Sequence, residues 1–131
     1  MIRIVLVDDQ PAFRRITHRL LSMHSEIVVV GEAGDGMEAL DVVAQVRPDV
    51  VLMDLYMPIL DGVAATRQIR AAYPDVQIIL FTSVDQDGYV LEGVRAGASG
   101  YLLKTARTEM LVAAIQAAID GRSDARGRQP G

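Results

Sequence analysis

The chain has 131 residues, half of them hydrophobic, a formal net charge of −4 and no cysteine. That length favours one domain with a core large enough to stand without staples. Disulfide frameworks and thiolate metal sites are excluded, no apolar run approaches the roughly 20 residues of a membrane helix, and an acidic balance over residues 1–120 disfavours non-specific nucleic-acid binding.

In chain order, β-rich runs alternate with helical periods. Ile2–Val7 is an apolar run that ends at Asp8-Asp9, with no signal-peptide layout before it, which points to a cytoplasmic protein with no membrane association. A helical stretch follows, with Phe13, Ile16 and Leu20 spaced as one apolar stripe. Ile27–Ala33 reads as the second strand, and Gly34-Asp35-Gly36 as the turn into a helix over about Met37–Val46. Val50–Met53 runs into Asp54, and Pro58 stiffens the loop that follows. A helix over about Val63–Ala72 leads through Tyr73-Pro74 to a strand at Val76–Phe81, which ends at Thr82. A helix over about Gln86–Arg95 leads through Ala96-Gly97 to Gly100–Leu103, which ends at Lys104. The last helix, about Thr108–Ile119, carries Leu111, Ile115 and Ile119 on one face. Residues 121–131 hold three Gly, three Arg and one Pro and read as a flexible tail or the start of a linker. This β-α alternation predicts an α/β fold: a flavodoxin-like (βα)5 doubly wound parallel sheet in the order 2-1-3-4-5.

In such a sheet, sites form at the carboxyl ends of the strands. Asp8, Asp9, Asp54, Thr82 and Lys104 all fall there. Asp9, two residues before Pro11, also has the look of a helix cap. With strands one and three adjacent, however, the three carboxylates converge. Like charges about 4 Å apart repel by about 1–4 kcal/mol between the dielectrics of water and of a protein surface, so the cluster needs a counter-cation. Oxygen-only ligation by carboxylates, a backbone carbonyl and water suits Mg²⁺. Zinc fits poorly, because cysteine is absent and both histidines lie elsewhere. Lys104 can balance a phosphoryl oxygen, the Thr82 hydroxyl can donate to another, and Asp54 can act as nucleophile to give a mixed anhydride.

The order Asp8-Asp9, Asp54, Thr82, Lys104 resembles the receiver domain of two-component response regulators. The segment from Met53 to Gly62 is similar to the family's stretch around its phosphorylated Asp, and Val30–Gly36 and Gly93–Lys104 resemble the NarL/FixJ (LuxR-type) subfamily. The resemblance covers residues 1–120. It implies that Asp54 accepts a phosphoryl group from a sensor histidine kinase. It implies Mg²⁺, with Mn²⁺ able to substitute, held directly by Asp9 and Asp54, through water by Asp8, and by the Tyr56 carbonyl. Thr82 would move toward the phosphoryl group and Tyr101 would turn inward as its partner in the switch. The output would be a changed surface on the fourth and fifth helices and the fifth strand, with a possible homodimer on phosphorylation. DNA would be reached only through a C-terminal helix-turn-helix domain missing from this chain; the alternative is a stand-alone receiver, which the bare chain length favours. Such a protein is no enzyme beyond catalysing its own phosphorylation and dephosphorylation. Thr105 departs from the pattern, since many receivers have Pro after the lysine.

Two other functions compete. A metal-dependent phosphatase with an Asp nucleophile needs a second Asp two residues on, where this chain has Tyr56. A flavin carrier would meet an acidic turn at Asp8-Asp9 where it needs a phosphate loop. Gly31-x-x-Gly34-x-Gly36 lies at the end of the second strand, not the first, in reversed spacing, and reads as turn chemistry, not a dinucleotide fingerprint. His18 and His24 read as solvated or helix-end residues, and the scattered methionines as core filling.

Overall fold

The computed structural model describes residues 1–83 and 88–127, with side chains through residue 122. Five strands alternate with five helices: β1 (Ile2–Val7), α1 (Pro11–Leu21), β2 (Ile27–Ala33), α2 (Gly36–Val46), β3 (Val50–Met53), α3 (Gly62–Ala72), β4 (Gln77–Thr82), α4 (Tyr89–Arg95), β5 (Gly100–Leu103) and α5 (Thr108–Gly127). All four strand pairings are parallel, in the order β2-β1-β3-β4-β5. This is the flavodoxin-like doubly wound sheet that the alternation predicts.

The central strands are continuous apolar runs because both faces of the sheet are covered. Side chains alternate between two cores. Val5, Val7, Val51, Met53, Ile78 and Leu80 pack with Ala39, Val43, Val63 and Ile69 from α2 and α3. Ile4, Leu6, Leu52, Ile79 and Phe81 pack with Leu21, Leu111 and Ile115 from α1 and α5. The Leu111–Ile115 face of α5 is therefore core, as its spacing predicts.

The α1 stripe differs from the expectation. Ile16 and Leu20 are 56% and 39% exposed, whereas Thr17 and Leu21 are buried and Phe13 packs against the second core. The inward face runs Phe13–Thr17–Leu21, and the Thr17 hydroxyl is satisfied by the Phe13 carbonyl at 3.0 Å. A polar residue on the core face thus hides the true period. Asp9 is not the cap of α1: Gln10 occupies that position, without a side-chain cap, and its N–H donates to Asp8 Oδ1 at 2.8 Å. Asp35 and Asp61 do cap, accepting from Glu38 N–H at 2.8 Å and Ala64 N–H at 2.9 Å. Strand β4 lies one residue later than predicted. Helix α4 begins at Tyr89, and the predicted start at residues 86–87 lies outside the described residues. Helix α5 continues to Gly127, into the stretch read as a tail, whose residues 128–131 lie outside the described residues.

Candidate acidic site at the sheet edge

Three backbone hydrogen bonds extend the strand ladders just past the strand ends. Asp8 N–H donates to the Ala33 carbonyl at 3.0 Å, Asp54 N–H to Val7 at 3.0 Å, and Lys104 N–H to Thr82 at 2.8 Å. The sheet itself therefore brings the ends of β1 and β3 side by side, and likewise those of β4 and β5. Carboxylate oxygens of Asp8, Asp9 and Asp54 all lie within 4.8 Å of one another. Asp8, Asp54 and Thr82 are buried, and Asp9 is exposed at the mouth.

Lys104 Nζ sits 2.7 Å from Asp8 Oδ2 and 3.2 Å from Asp54 Oδ2, with its side chain 7% exposed. It is the counter-charge of the cluster. The ammonium also lies 4.7 Å from the centre of the Phe13 ring, which packs on Phe81 at 5.6 Å. Asp54 Oδ1 accepts Leu55 N–H at 2.8 Å. Burial raises the Asp54 pKa above the ordinary 3.8; the Lys104 charge opposes this, and the Asp8 charge adds to it.

The loop after Asp54 folds back onto its strand. Gly62 N–H donates to the Leu55 carbonyl at 2.8 Å, and a Cβ on Gly62 would lie 2.0 Å from the Asp54 carbonyl oxygen. Only glycine fits that approach. Ile59 takes a φ of 72° at the exposed tip of the loop. The Tyr56 ring stacks on Tyr89 with centroids 5.4 Å apart. The Tyr89 hydroxyl donates to Asp61 Oδ2, the other oxygen of the α3 cap. Burial and the Asp61 carboxylate push the Tyr89 pKa up to about 12.

The structure thus brings together Asp8, Asp9, Asp54 and Lys104 as the sequence predicts, with Thr82 ending the neighbouring strand. Tyr101 is 55% exposed on β5 and points away from the core. The described peptide bonds are all trans, Lys104–Thr105 included. His18, expected as a solvated helix-end residue, lies in the last turn of α1 and bonds Glu32 Oε2 through Nδ1 at 2.7 Å. Phe13 under Lys104, Tyr89 against Tyr56, and Arg14 behind Asp8 were not foreseen. Each is a contact that the fold makes, side chain against side chain for Phe13 and Tyr89 and guanidinium against the Asp8 carbonyl for Arg14, with no signature in local spacing.

The donor set at this edge is all oxygen, anionic and convergent, which fits a hard divalent cation such as Mg²⁺. An open parallel α/β sheet with such an edge is the layout of a phosphoryl- or nucleotide-handling domain. Residues 4–116 match the family described as the response regulator receiver domain, and the chain belongs to that family. It is 43% identical over 122 residues to the uncharacterized transcriptional regulatory protein YxjL of Bacillus subtilis (strain 168), covering 93% of this chain and 56% of that protein. It is 40% identical over 120 residues to the transcriptional regulatory protein DegU of Brevibacillus brevis, covering 92% and 51%. The chain therefore spans about half the length of these curated relatives. A solved two-component response regulator of the LuxR family from Aurantimonas sp. SI85-9A1 superposes with a TM-score of 0.87 at 39% identity, over 93% of this chain and 87% of that one. Receiver domains are mostly not enzymes in their own right. Among the described residues, no helix is long and apolar enough to cross a membrane.

Proposed function

We propose that this receiver domain takes a phosphoryl group onto Asp54 from a sensor histidine kinase. A carboxylate oxygen of Asp54 attacks phosphorus, the bond to the donor breaks, and the leaving group departs with the bonding pair. Asp9 and Asp54 would hold Mg²⁺ directly, Asp8 through water, and the Tyr56 carbonyl would complete the protein ligands. Mn²⁺ would serve in its place. When bound, the cation supplies charge neutralisation to the carboxylates and the phosphoryl oxygens. Lys104 holds a phosphoryl oxygen by its ammonium, and the Thr82 hydroxyl donates to another. The chain catalyses no reaction beyond this transfer and the hydrolysis that releases the phosphoryl group from Asp54 to water. The observation that carries this reading is the buried Asp54 carboxylate, within 4.8 Å of the Asp8 and Asp9 oxygens and 3.2 Å from Lys104 Nζ.

Movement of Thr82 toward the phosphoryl group would vacate space for the Tyr101 ring, now exposed. That would change the surface formed by α4, β5 and α5, where Leu91, Val94, Leu103 and Met110 are also exposed, and promote a homodimer. The relatives are transcriptional regulators of which this chain spans about half. DNA would then be bound by a helix-turn-helix domain outside this chain, in the cytoplasm, with residues 1–120 as the receiver and 121–131 as the start of a linker.

The test is incubation with Mg²⁺ and acetyl phosphate. One phosphoryl group that base and hydroxylamine release should be added, and Asp54→Asn should take up none. Labelling of Asp54→Asn at the wild-type rate would overturn the assignment.

A further inference from the structure

Asp8 and Asp9 lie on a short turn between β1 and α1, and something must hold that turn against the repulsion of three carboxylates. The Asp8 side chain braces one side by accepting Gln10 N–H. The other side is braced by Arg14, one turn into α1. Its Nη1 donates to the Asp8 carbonyl and, at 3.4 Å, to the Ala33 carbonyl at the end of β2. Its Nε donates to Glu32 Oε1 at 2.9 Å. The other Glu32 oxygen is held by His18 Nδ1 at 2.7 Å. One planar guanidinium thus ties α1 and the ends of β1 and β2 together, directly behind the acidic edge. Its side chain is only 19% exposed. Burial works to raise the Glu32 pKa, but hydrogen bonds from His18 and Arg14 and their charges outweigh it and hold the carboxyl below the ordinary 4.5, so the anchor is ionised.

We infer that Arg14 is a positioning residue for the acidic site: by fixing the Asp8 carbonyl against the end of β2, it holds the Asp8 and Asp9 carboxylates in the arrangement that takes a divalent cation. This rests on the reading above that the cluster binds Mg²⁺. It runs against simple electrostatics. A fixed cation beside an acidic cluster repels a second cation, so charge alone predicts that removing Arg14 tightens Mg²⁺ binding. Positioning predicts the reverse, because residues that orient metal ligands typically change affinity by about 10–100-fold when lost. A lysine keeps the charge but not the fork that reaches two carbonyls and a carboxylate at once.

The experiment is calorimetric titration of Mg²⁺ into wild type, Arg14→Lys, Arg14→Met and, as a control for lost surface charge, Arg95→Met, whose partner Glu92 sits at 3.6 Å on the exposed face of α4. Positioning predicts that both Arg14 variants bind Mg²⁺ about tenfold more weakly, while Arg95→Met matches wild type. Acetyl phosphate labelling should then need more Mg²⁺ for half its rate, yet reach the wild-type maximum at saturation; a general loss of structure would lower the maximum too. Glu32→Gln leaves Arg14 with a weaker anchor, should give an intermediate loss, and covers the case in which an Arg14 variant fails to fold. Tighter binding by Arg14→Met with unchanged binding by Arg14→Lys would overturn the positioning role in favour of charge alone. Wild-type affinity in both variants would overturn it outright. If wild type itself takes up no Mg²⁺, the metal-site reading fails and this inference falls with it.

Discussion

Replacing Lys104 with methionine removes the only ammonium that the described residues place among these carboxylates, 2.7 Å from Asp8 Oδ2 and 3.2 Å from Asp54 Oδ2. At an effective dielectric of ~20 each contact is worth roughly 5–6 kcal/mol before desolvation. All three side chains are under a tenth exposed, so stripped water offsets much of that gain. Removing one partner of a buried pair typically costs about 3–5 kcal/mol, because the remaining charge stays buried. The open mouth at Asp9 argues for the lower end, about 3 kcal/mol. With an unfolding entropy of about 2.1 cal/mol/K per residue, a chain of this length should melt roughly 11 °C lower. The same change removes a competitor for Asp8, so Mg²⁺ should bind Lys104→Met more tightly than wild type. At Mg²⁺ 100-fold above its dissociation constant, the variant should regain about 2.7 kcal/mol, close to the whole loss. Calorimetric melts with and without Mg²⁺, together with a Mg²⁺ titration, measure both effects. A variant that melts within about 2 °C of wild type without metal, or binds Mg²⁺ more weakly, would show that Lys104 is not the counter-charge of the cluster.

Gly62→Ala should destabilise the protein by about 1–3 kcal/mol or more, because the new methyl meets the Asp54 carbonyl, a backbone atom that cannot rotate away. Gly100→Ala, which meets nothing within 4 Å, is the control for the same melts, and only the first should slow acetyl phosphate labelling. The raised Asp54 pKa sets a pH dependence. Its folded carboxyl binds a proton more tightly than the unfolded one, so stability falls as pH rises through the interval between the ordinary 3.8 and the raised value. Metal-free Asp54→Asn, which carries no charge there, should melt above wild type at pH 7, and the gap should narrow as the pH is lowered toward 3.8; a constant gap across that range would contradict the burial argument.

The strands were legible because Ile2–Val7, Ile27–Ala33, Val50–Met53 and Gly100–Leu103 are short apolar runs that end sharply at polar residues or turns. The convergence of Asp8, Asp9, Asp54 and Lys104 was legible for a related reason: parallel strands place all their carboxyl ends on one edge, so position along the chain translates into position at the site. The inward face of α1 was not. Thr17 is core and Ile16 is not, and a hydrophobicity pattern cannot see a hydroxyl satisfied by its own helix. Arg14, Phe13 and Tyr89 escaped for another reason. Each reaches the site, or its rim, from an element whose rotation about its own axis is set by packing. The end of α5 was also missed, because Gly121 and the Arg-rich stretch after it carry no apolar period for the helix to announce itself.

That longer helix has a mechanical consequence. Helix α5 starts four residues after Lys104, at the acidic edge, and at Arg122 it reaches the opposite edge, where the guanidinium lies 3.5 Å from Asp49 just before β3. At 1.5 Å per residue, its 20 residues span about 30 Å as one rod. A rod transmits rotation as well as displacement. A helix turns about 100° per residue, so the number of residues in α5 sets the compass bearing of whatever follows it. One residue inserted beyond Ile119 would swing that bearing by more than a quarter turn without touching the acidic edge.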